Sequence, residues 1–400
     1  MHNKNSAMAF IVLLGIVSLF SDMTHEAATS IKGAYLLILG ASASTIGFIS
    51  GVGELLGYGL RYLFGRLVDK THNYWGFMIL GYAVDVFAVP ALALVHRDGW
   101  IAACILLVIE RIGKAIKKPA KNTILSFAAS QEGVGKSFAI QEALDQLGAF
   151  IGPLLLYVIM LYKNGDEYEV YNAAFAFLTL PAVCTIACLL FAKSRFPNPK
   201  AFEPEAKENK KNSFVGKKSF YLYLAGISCF AFGFVDFPLV TMHLAKNKLF
   251  DESILPLLYS GAMLVDAVAA LFFGWLFDKM RTKALVISTA ISAFFAVFAF
   301  GATSPAMIML GIALWGVGMG AQESIMKAAV ATMTSKEHRA GSYGAFEFFF
   351  GLAWFLGSWL LGAVYDYSLN TFIIVSVAAQ LIALPCYLLS ERSFVSENCQ

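Results

Sequence analysis

Charged side chains are scarce in this sequence. Only 14% of its 400 residues are Asp, Glu, Lys or Arg, whereas 58% are hydrophobic, and the mean hydropathy is +0.67. A soluble chain of average composition carries about 25% charged residues. A chain this poor in charge cannot cover a water-exposed surface, which excludes soluble enzymes, nucleic-acid binders and secreted disulfide scaffolds. The composition predicts an all-α polytopic membrane protein.

Cysteine is also rare, and its spacing carries no signal. The six cysteines form no CxxC pair and no Cys/His ligand pattern, so we expect neither disulfides nor a metal site. The run Gly133–Ser137 is similar to the end of a phosphate-binding loop, but Ser130 stands where that loop requires its first glycine, and no strand precedes it. We therefore expect no cofactor, no nucleotide and no nucleic-acid partner.

Twelve apolar runs separated by polar breaks are each long enough to cross a bilayer as a helix. The predicted spans 1 to 12 are residues 8–36, 43–68, 74–95, 99–129, 137–162, 170–192, 219–246, 253–278, 283–301, 305–333, 341–365 and 368–390. The polar stretch 193–218 has almost nothing apolar to bury and is interpreted as a cytosolic linker. The predicted domains are therefore an N-terminal six-helix bundle, 1–192, and a C-terminal six-helix bundle, 219–400.

Lys and Arg are distributed unevenly over the connections between these spans. Most of the 30 basic residues fall on the side of the membrane that holds the N-terminus. The opposite side holds only Arg97, Lys163, Lys246 and Lys248. The positive-inside rule then predicts that both termini face the cytosol, in a multi-pass protein of the bacterial inner (plasma) membrane.

The two halves repeat each other. Residues 65–70 after span 2 and residues 274–279 after span 8 share the pattern Gly-x-x-x-Asp-Lys. The start of span 5 likewise matches the start of span 11, and this match aligns Gly152 with Gly357. Because each half has an even number of spans, the repeat is parallel, and a binding site is expected near the membrane midplane.

These features resemble the major facilitator superfamily of secondary transporters. The shared features are two six-helix halves, a basic central linker and Gly-x-x-x-Asp-Lys between spans 2 and 3 and between spans 8 and 9. Span 5 also carries Gly148-x-x-x-Gly152-Pro153, similar to the motif of the family's antiporters, although Leu156 and Tyr157 stand where further glycines would come. The segment Glu110–Pro119 is similar to one in a subset of bacterial members.

The resemblance implies twelve transmembrane helices in two parallel six-helix repeats, which operate by alternating access. It also implies a cytosolic gate formed by Gly65, Asp69, Lys70, Gly274, Asp278 and Lys279. Sequence alone would treat the aspartates in this set as ordinary solvated loop charges. The partial antiporter motif places the chain nearest to bacterial drug and solute antiporters.

Ionisable side chains inside spans are candidates for the mechanism, because each costs about 2.5–3.5 kcal/mol on insertion scales. Asp22 and Glu26 lie one turn apart in span 1, and Asp236 lies in span 7, which faces span 1 across the cavity in the resembling family. We predict that these three acids are proton-coupling sites. The alternative is that Asp22 and Glu26 pair with Arg111 and Lys32 and hold helices together.

Span 4 carries an unusual number of cations. Arg111, Lys114, Lys118 and Lys121 are spaced to form one stripe on a helix. We predict that Arg111 and Lys114 line the substrate cavity, together with Glu54 of span 2 and Glu142 of span 5. For Lys117, Lys118 and Lys121 we favour snorkelling to water at the cytosolic end. Several acids, including Asp85, Glu142 and Asp145, are expected to pair with span 4 cations.

The sequence thus predicts a secondary active transporter, not an enzyme, that moves a small organic solute, is coupled to protons and leans toward efflux. One alternative is a symporter for uptake of an organic anion, drawn by Arg111 and Lys114. Another is a transporter-like sensor or scaffold that does not transport. The expected partners are the small-molecule substrate, protons and the lipid bilayer, with the chain acting as a monomer. The substrate itself cannot be deduced from the fold.

Overall fold

The structure is a computed structural model that describes residues 4–132, 134–202, 218–334 and 339–398. Within these ranges the chain is helical and contains no strand. The α-helices are α1 (Lys4–Ile38), α2 (Ala43–Thr71), α3 (Tyr74–Ala88), α4 (Trp100–Glu132), α5 (Val134–Tyr162), α6 (Glu167–Phe177), α7 (Thr179–Arg195), α8 (Lys218–Gly233), α9 (Phe237–Lys246), α10 (Leu255–Met280), α11 (Lys283–Ser292), α12 (Phe295–Gly301), α13 (Pro305–Met333), α14 (Arg339–Tyr367) and α15 (Leu369–Asn398). Short 3₁₀ turns lie at Pro90–Leu94, Pro199–Phe202 and Glu252–Ile254. Of the predicted linker 193–218, residues 203–217 lie outside the described ranges.

Every predicted span coincides with a helical region. Ten regions of the described chain are long and apolar enough to cross a membrane. The other two are α2, with 29 residues, and α4, with 33 residues, both of which carry more charge. The expected architecture, an all-α polytopic protein with twelve spans, is confirmed.

Span 7 is not the single helix that was predicted, because it breaks between α8 and α9. Pro238 stands in the first turn of α9, where a missing N–H is tolerated. The backbone carbonyls at the break are held by side chains of the same unit: Trp315 Nε1 donates to the Val235 oxygen (2.8 Å) and Ser376 Oγ to the Gly233 oxygen (2.7 Å). These two carbonyls therefore have hydrogen-bond partners inside the protein.

We expect Trp315→Phe to destabilise this break. The substitution keeps an aromatic side chain but removes the N–H, so the carbonyl of Val235 loses its buried donor at a cost of about 1–3 kcal/mol. Trp354→Phe is the matched control, because Trp354 is buried as deeply (5% exposed against 2%) and its Nε1 has no hydrogen-bond partner in the described chain. Thermal unfolding in detergent measures both. Equal shifts of the two variants would contradict the role given to Trp315.

The contacts between residues divide the chain into two compact units. The first unit lies within residues 1–40, 56–208 and 252–260, and the second within residues 41–55, 209–251 and 261–400. A short segment of each sequence half thus groups with the other unit. In the first unit α1 packs on α5 and α3 on α4, and in the second α8 packs on α15 and α14. The division into domains 1–192 and 219–400 stays a prediction.

The internal repeat is visible as the same helix contact in each unit. A Cβ atom on Gly152 of α5 would lie 2.4 Å from the backbone oxygen of Met23 in α1. A Cβ atom on Gly357 of α14 would lie 2.2 Å from the backbone oxygen of Phe232 in α8. These two glycines are the pair that the sequence repeat aligns. In both units glycine lets two helix backbones touch.

Candidate functional site

A cluster of ionisable side chains lies buried between α1, α3 and α4 of the first unit. His25, Asp85, Glu110 and Lys117 are only 1%, 0%, 4% and 8% exposed, respectively. Charged groups at such depth are costly unless they are paired and hydrogen-bonded. The position of this cluster inside the helix bundle makes it the first candidate for a functional site.

The four side chains are linked through shared oxygen atoms. His25 Nε2 lies 2.9 Å from Asp85 Oδ2, and His25 Nδ1 lies 3.1 Å from Glu110 Oε1. Lys117 Nζ also pairs with Asp85 Oδ2 and donates a hydrogen bond to Ser21 Oγ (2.8 Å). Lys114 Nζ lies 3.3 Å from Glu110 Oε1. Each carboxylate oxygen that faces the histidine therefore also faces a lysine.

The close approach of α3 and α4 brings this cluster together. A Cβ atom on Gly113 of α4 would lie 2.5 Å from the backbone nitrogen of Asp85, and one on Gly81 of α3 would lie 2.6 Å from that of Lys117. Neither position has room for a larger side chain without movement of the opposite backbone. The two glycines thus bring Asp85 and Lys117 within ion-pair distance.

A second group of charges lies between α1, α4 and α5. Lys121 Nζ lies 3.7 Å from Asp145 Oδ2, and Gln141 Nε2 donates to Asp145 Oδ1 (2.8 Å). Half-buried Asp22 has Asp145, Lys121, Lys117 and Glu26 as its charged neighbours. The expectation that acids of α3 and α5 pair with cations of α4 is confirmed for Asp85 and Asp145.

Glu26 makes a contact over a long sequence distance. Tyr259, at the start of α10 and within the first unit, donates its hydroxyl to Glu26 Oε2 at 2.5 Å. An ionised carboxylate can only accept hydrogen bonds, whereas a protonated one can also donate. A change in the protonation of Glu26 would therefore change its hydrogen bonding with α10.

The remaining predicted cavity and coupling residues are dispersed. Arg111 Nε lies 3.9 Å from Glu110 Oε2, which places it at the edge of the buried cluster. Glu142 is exposed on α5, where Gln146 Nε2 donates to it at 3.4 Å. Half-buried Glu54 and Asp236 belong to the second unit, and Asp236 stands immediately before α9. The structure therefore gathers Asp22, Glu26, Arg111 and Lys114 in one unit and leaves Glu54 and Asp236 in the other.

The residues of the predicted cytosolic gate lie at helix ends. Asp69 and Lys70 are exposed at the end of α2, and Asp278 and Lys279 are exposed at the end of α10. Across the described ranges neither aspartate has an ion pair, and the Lys279 ammonium lies 3.7 Å from the centre of the Trp275 ring. The side chains that lie nearest to a Cβ built on Gly65 or Gly274 are 3.9 and 4.0 Å away, so these two glycines are not packing contacts. The gate stays a prediction.

The predicted motif of helix 5 lies against α1. A Cβ atom on Gly148 would lie 2.3 Å from the backbone oxygen of Leu19, and Gly152 makes the equivalent contact one turn further on. Pro153 is buried inside α5. The motif therefore fixes the backbone of α1 beside Asp22, and its role in transport remains untested.

The cations of α4 contact acids both within and outside the predicted stripe. Arg111 and Lys114 lie beside Glu110, and Lys121 lies beside Asp145, whereas Lys117, which is outside the stripe, pairs with Asp85. The expectation that Lys117 snorkels to water is wrong, because its ammonium is enclosed by Asp85, Ser21 and the Tyr82 ring, whose centre is 4.1 Å away. Lys121 is paired rather than solvated.

Sequence reasoning missed His25, Asp85 and Glu110 as one site. Glu110, Lys114, Lys117 and Lys121 are spaced 4, 3 and 4 residues apart, which is as regular as the stripe that was chosen. Ser18, Ser21 and His25 likewise share a face of α1. These two polar helix faces are the features of the sequence from which the buried site could have been predicted.

The three missed residues have the atom types of a metal site, and their ligand-type atoms lie within 4.8 Å of one another. Divalent cations prefer unprotonated nitrogen and free carboxylate oxygen. Here the ammonium groups of Lys117 and Lys114 face the same oxygens, and Arg111 adds a third positive charge nearby. The donor set therefore fits an ion-pair network better than a metal ion.

The fold and the buried network together define a class of protein, namely a polytopic helical protein built from two repeated units with ionisable groups inside the bundle. Such groups are typical of membrane transporters. The family model of the Major Facilitator Superfamily matches residues 9–244 and again residues 222–398. The chain belongs to this superfamily, whose members are secondary transporters.

Two relatives match this chain over more than 90% of its length and of their own. An uncharacterised protein of Mycobacterium tuberculosis is 36% identical over 383 residues, which cover 95% of this chain and 92% of the relative. An uncharacterised transporter of the same superfamily from Methanocaldococcus jannaschii is 28% identical over 383 residues, covering 94% and 93% of the two chains.

Solved structures share the fold. A bacterial homologue of the human lysosomal transporter Spinster, in an inward-facing and unoccupied conformation, superposes with a TM-score of 0.77 at 14% identity and covers 98% of each chain. A nucleoside transporter superposes with a TM-score of 0.72 at 14% identity, covering 96% of this chain and 99% of its own. At this level of identity the likeness concerns the fold only.

Proposed function

We propose that this protein is a proton-coupled secondary transporter that exports a small organic solute by alternating access. The observation that carries the proposal is the concentration of acids on α1, where Asp22 and Glu26 lie one turn apart and face charged or hydrogen-bonding partners from α4, α5 and α10. A secondary transporter needs a group that binds the coupling ion, and buried carboxylates do this for protons.

Glu26 supplies a physical link between proton binding and conformation. Protonation removes a negative charge from α1 and changes the hydrogen bond from the Tyr259 hydroxyl. A proton bound on Glu26 thus alters the attachment of α1 to the start of α10. A ligand shifts an equilibrium between conformations only when it interacts differently with the two states, and this contact provides such a difference.

The direction of transport, the membrane location, the gate and the monomeric state in this proposal are inferred from the sequence. Export is favoured by the Gly148-x-x-x-Gly152-Pro153 motif, and a location in the bacterial inner membrane with both termini in the cytosol by the distribution of Lys and Arg. Asp69 and Asp278 would close the cytosolic side. The transporter would act as a monomer in which two six-helix domains, 1–192 and 219–400, move around the substrate.

Uptake of an organic anion has less support. That function requires a positive charge free to attract the substrate. Lys114 lies 3.3 Å from Glu110, and Arg111 lies 3.9 Å from the same side chain. Since a carboxylate of the protein already stands beside both cations, we favour a proton-coupling role for this region over anion binding.

Two steps test the proposal. A thermal-shift screen of the purified protein against a panel of cationic, neutral and anionic organic solutes, at two pH values, identifies a stabilising solute. Flux of that solute is then measured in proteoliposomes with and without an imposed pH gradient, for the wild type, Asp22→Asn and Glu26→Gln. Asp251→Asn is the control, because Asp251 is exposed in the connection after α9.

We expect solute flux that follows the pH gradient in the wild type and in Asp251→Asn, and that loses this dependence in Asp22→Asn, Glu26→Gln or both. Flux that ignores the gradient in the wild type would rule out proton coupling. Gradient-driven flux that is unchanged in both α1 variants would keep proton coupling but remove it from these two acids.

A further inference from the structure

His25 lies between two carboxylates, one on each side of its ring. Its Nε2 atom is 2.9 Å from Asp85 Oδ2 and its Nδ1 atom is 3.1 Å from Glu110 Oε1. The histidine side chain is fully enclosed, with no exposed surface, so water does not stand in for either partner. Each ring nitrogen therefore lies within 3.1 Å of a carboxylate oxygen, although neither contact has the direction of a hydrogen bond.

This geometry distinguishes the two protonation states of the ring. A histidine that carries two protons has a donor on each nitrogen, whereas the neutral ring has one donor and one lone pair. The two carboxylates at these distances favour the positively charged, doubly protonated ring, because a nearby opposite charge stabilises the charged form of a buried group. The arrangement is thus complementary to the doubly protonated ring.

Lysines provide an alternative partner for both oxygens. Lys117 Nζ pairs with the same Asp85 oxygen as His25, and Lys114 Nζ faces the same Glu110 oxygen. When the ring loses a proton, one carboxylate can therefore keep its charge balanced by its lysine alone. Proton loss from His25 would release one side of the ring without leaving an unpaired buried carboxylate.

The charges around His25 come from four helices. Helix α3 contributes Asp85, and α4 contributes Glu110, Lys114 and Lys117, with Arg111 at the edge. On α1 itself the neighbouring acids are Asp22 and Glu26, and α5 brings Asp145, which is held by Lys121. In the described part of the chain, α6 and α7 place no charged side chain against the ring.

The charges of these side chains balance when the ring is doubly protonated. The acids are Asp22, Glu26, Asp85, Glu110 and Asp145, and the cations are Arg111, Lys114, Lys117, Lys121 and His25 in its doubly protonated form. Loss of the ring proton leaves one excess negative charge among these ten side chains. Protonation of an α1 carboxylate would neutralise that charge.

We propose that His25 is a proton-binding site of this protein, which holds two ring protons in the arrangement described here and releases one when the ring leaves Asp85 or Glu110. The proposal rests on the proposed proton-coupled function for its role in transport, since the released proton would pass to Asp22 or Glu26. The site itself can be tested without any transport measurement.

The test is nitrogen NMR of histidine-labelled protein in lipid nanodiscs, from about pH 5 to about pH 9, the range in which histidine titrates. Replacing His2, His72, His96 and His338 with glutamine leaves His25 and His243 as the remaining histidines. His243 is the matched internal control, because it is equally buried but faces the Tyr365 hydroxyl (Nδ1 to Oη, 2.7 Å) and Asn247 rather than carboxylates. Removal of His243 alone assigns the spectrum, even if His25→Gln does not fold.

We expect two protonated-nitrogen signals from His25 at neutral pH, the loss of one of them at high pH, and an earlier loss in Asp85→Asn or Glu110→Gln. His243 should show one protonated and one unprotonated nitrogen at the same neutral pH. A His25 ring that is singly protonated throughout the range, or that is unaffected by both carboxylate variants, would overturn the proposal.

Flux measurements separate this inference from the function on which it rests. If His25→Gln keeps gradient-driven solute flux while Asp22→Asn or Glu26→Gln loses it, the role of His25 in coupling is wrong and the transport function stands. If the NMR result is as expected but wild-type flux ignores the gradient, the proton site stands and the coupled function fails.

Discussion

Lys117→Met is expected to lower the free energy of unfolding by up to about 3–5 kcal/mol, because it removes the ammonium that pairs with the buried Asp85 carboxylate and leaves His25 to balance that charge. Asp85 is fully buried, and Lys117 is the ammonium that pairs directly with it. Methionine has a similar length and no charge, so the loss of packing is small. The shift in the midpoint of thermal or denaturant unfolding in detergent measures the effect.

The neighbouring residue provides the control for this prediction. Lys118 is exposed on the same helix, so Lys118→Met changes the net charge by the same amount at a solvent-exposed position. Exposed charges of this kind contribute about 0–1 kcal/mol. Similar destabilisation by the two substitutions would mean that the Asp85–Lys117 pair has no special weight.

A double variant tests the pairing itself. Asp85→Asn combined with Lys117→Met removes both charges, so the double variant should be less destabilised than the sum of the two single variants by about 1–3 kcal/mol. Additive effects would show that the two side chains do not interact energetically, whatever their distance. The cycle thus separates the ion pair from the packing around it.

The spans were predictable from the sequence because the membrane imposes a simple length and hydropathy requirement on each helix. The same holds for the repeat, since Gly152 and Gly357 stand at equivalent positions and make equivalent backbone contacts. Family membership followed from motifs whose spacing is visible in the chain. None of these inferences depends on how a helix is rotated about its axis.

The buried site was harder to predict because it does depend on helix rotation. The stripe 111, 114, 118 and 121 and the stripe 110, 114, 117 and 121 are equally regular, and sequence offers no way to choose between them. The close approach of α3 to α4 at Gly81 and Gly113 fixes the rotation of α4 and places Lys117 beside Asp85. His25 and Asp85 are 60 positions apart, so only tertiary packing brings them together.

The break between α8 and α9 could be predicted from the sequence only in part. Pro238 indicates that the helical pattern is disturbed, because proline lacks an N–H donor. The side chains that hold the freed carbonyls, Trp315 and Ser376, come from distant segments and carry no local signal. The weakening of span 7 could be predicted from sequence, but its stable break could not.

Gly357→Ala is expected to destabilise the second unit by about 2 kcal/mol or more, although alanine is the better helix former. The added Cβ would lie 2.2 Å from the backbone oxygen of Phe232, and a backbone oxygen cannot move aside as a flexible side chain can. Overpacking of this kind forces helices apart and costs about 1–3 kcal/mol in well-packed interiors. The aligned substitution Gly152→Ala, 2.4 Å from the Met23 oxygen, should have the same sign in the first unit.

Gly344 lies on the same helix as Gly357, and its substitution is expected to have the opposite effect. It is exposed, and a Cβ built there meets nothing within 4 Å, so Gly344→Ala should stabilise α14 by up to about 1 kcal/mol through helix propensity alone. Unfolding midpoints of the two variants, measured in one detergent, should therefore move in opposite directions. A stabilising Gly357→Ala would mean that α8 and α14 can separate without cost, and the equivalence of the two repeats would then not extend to their packing.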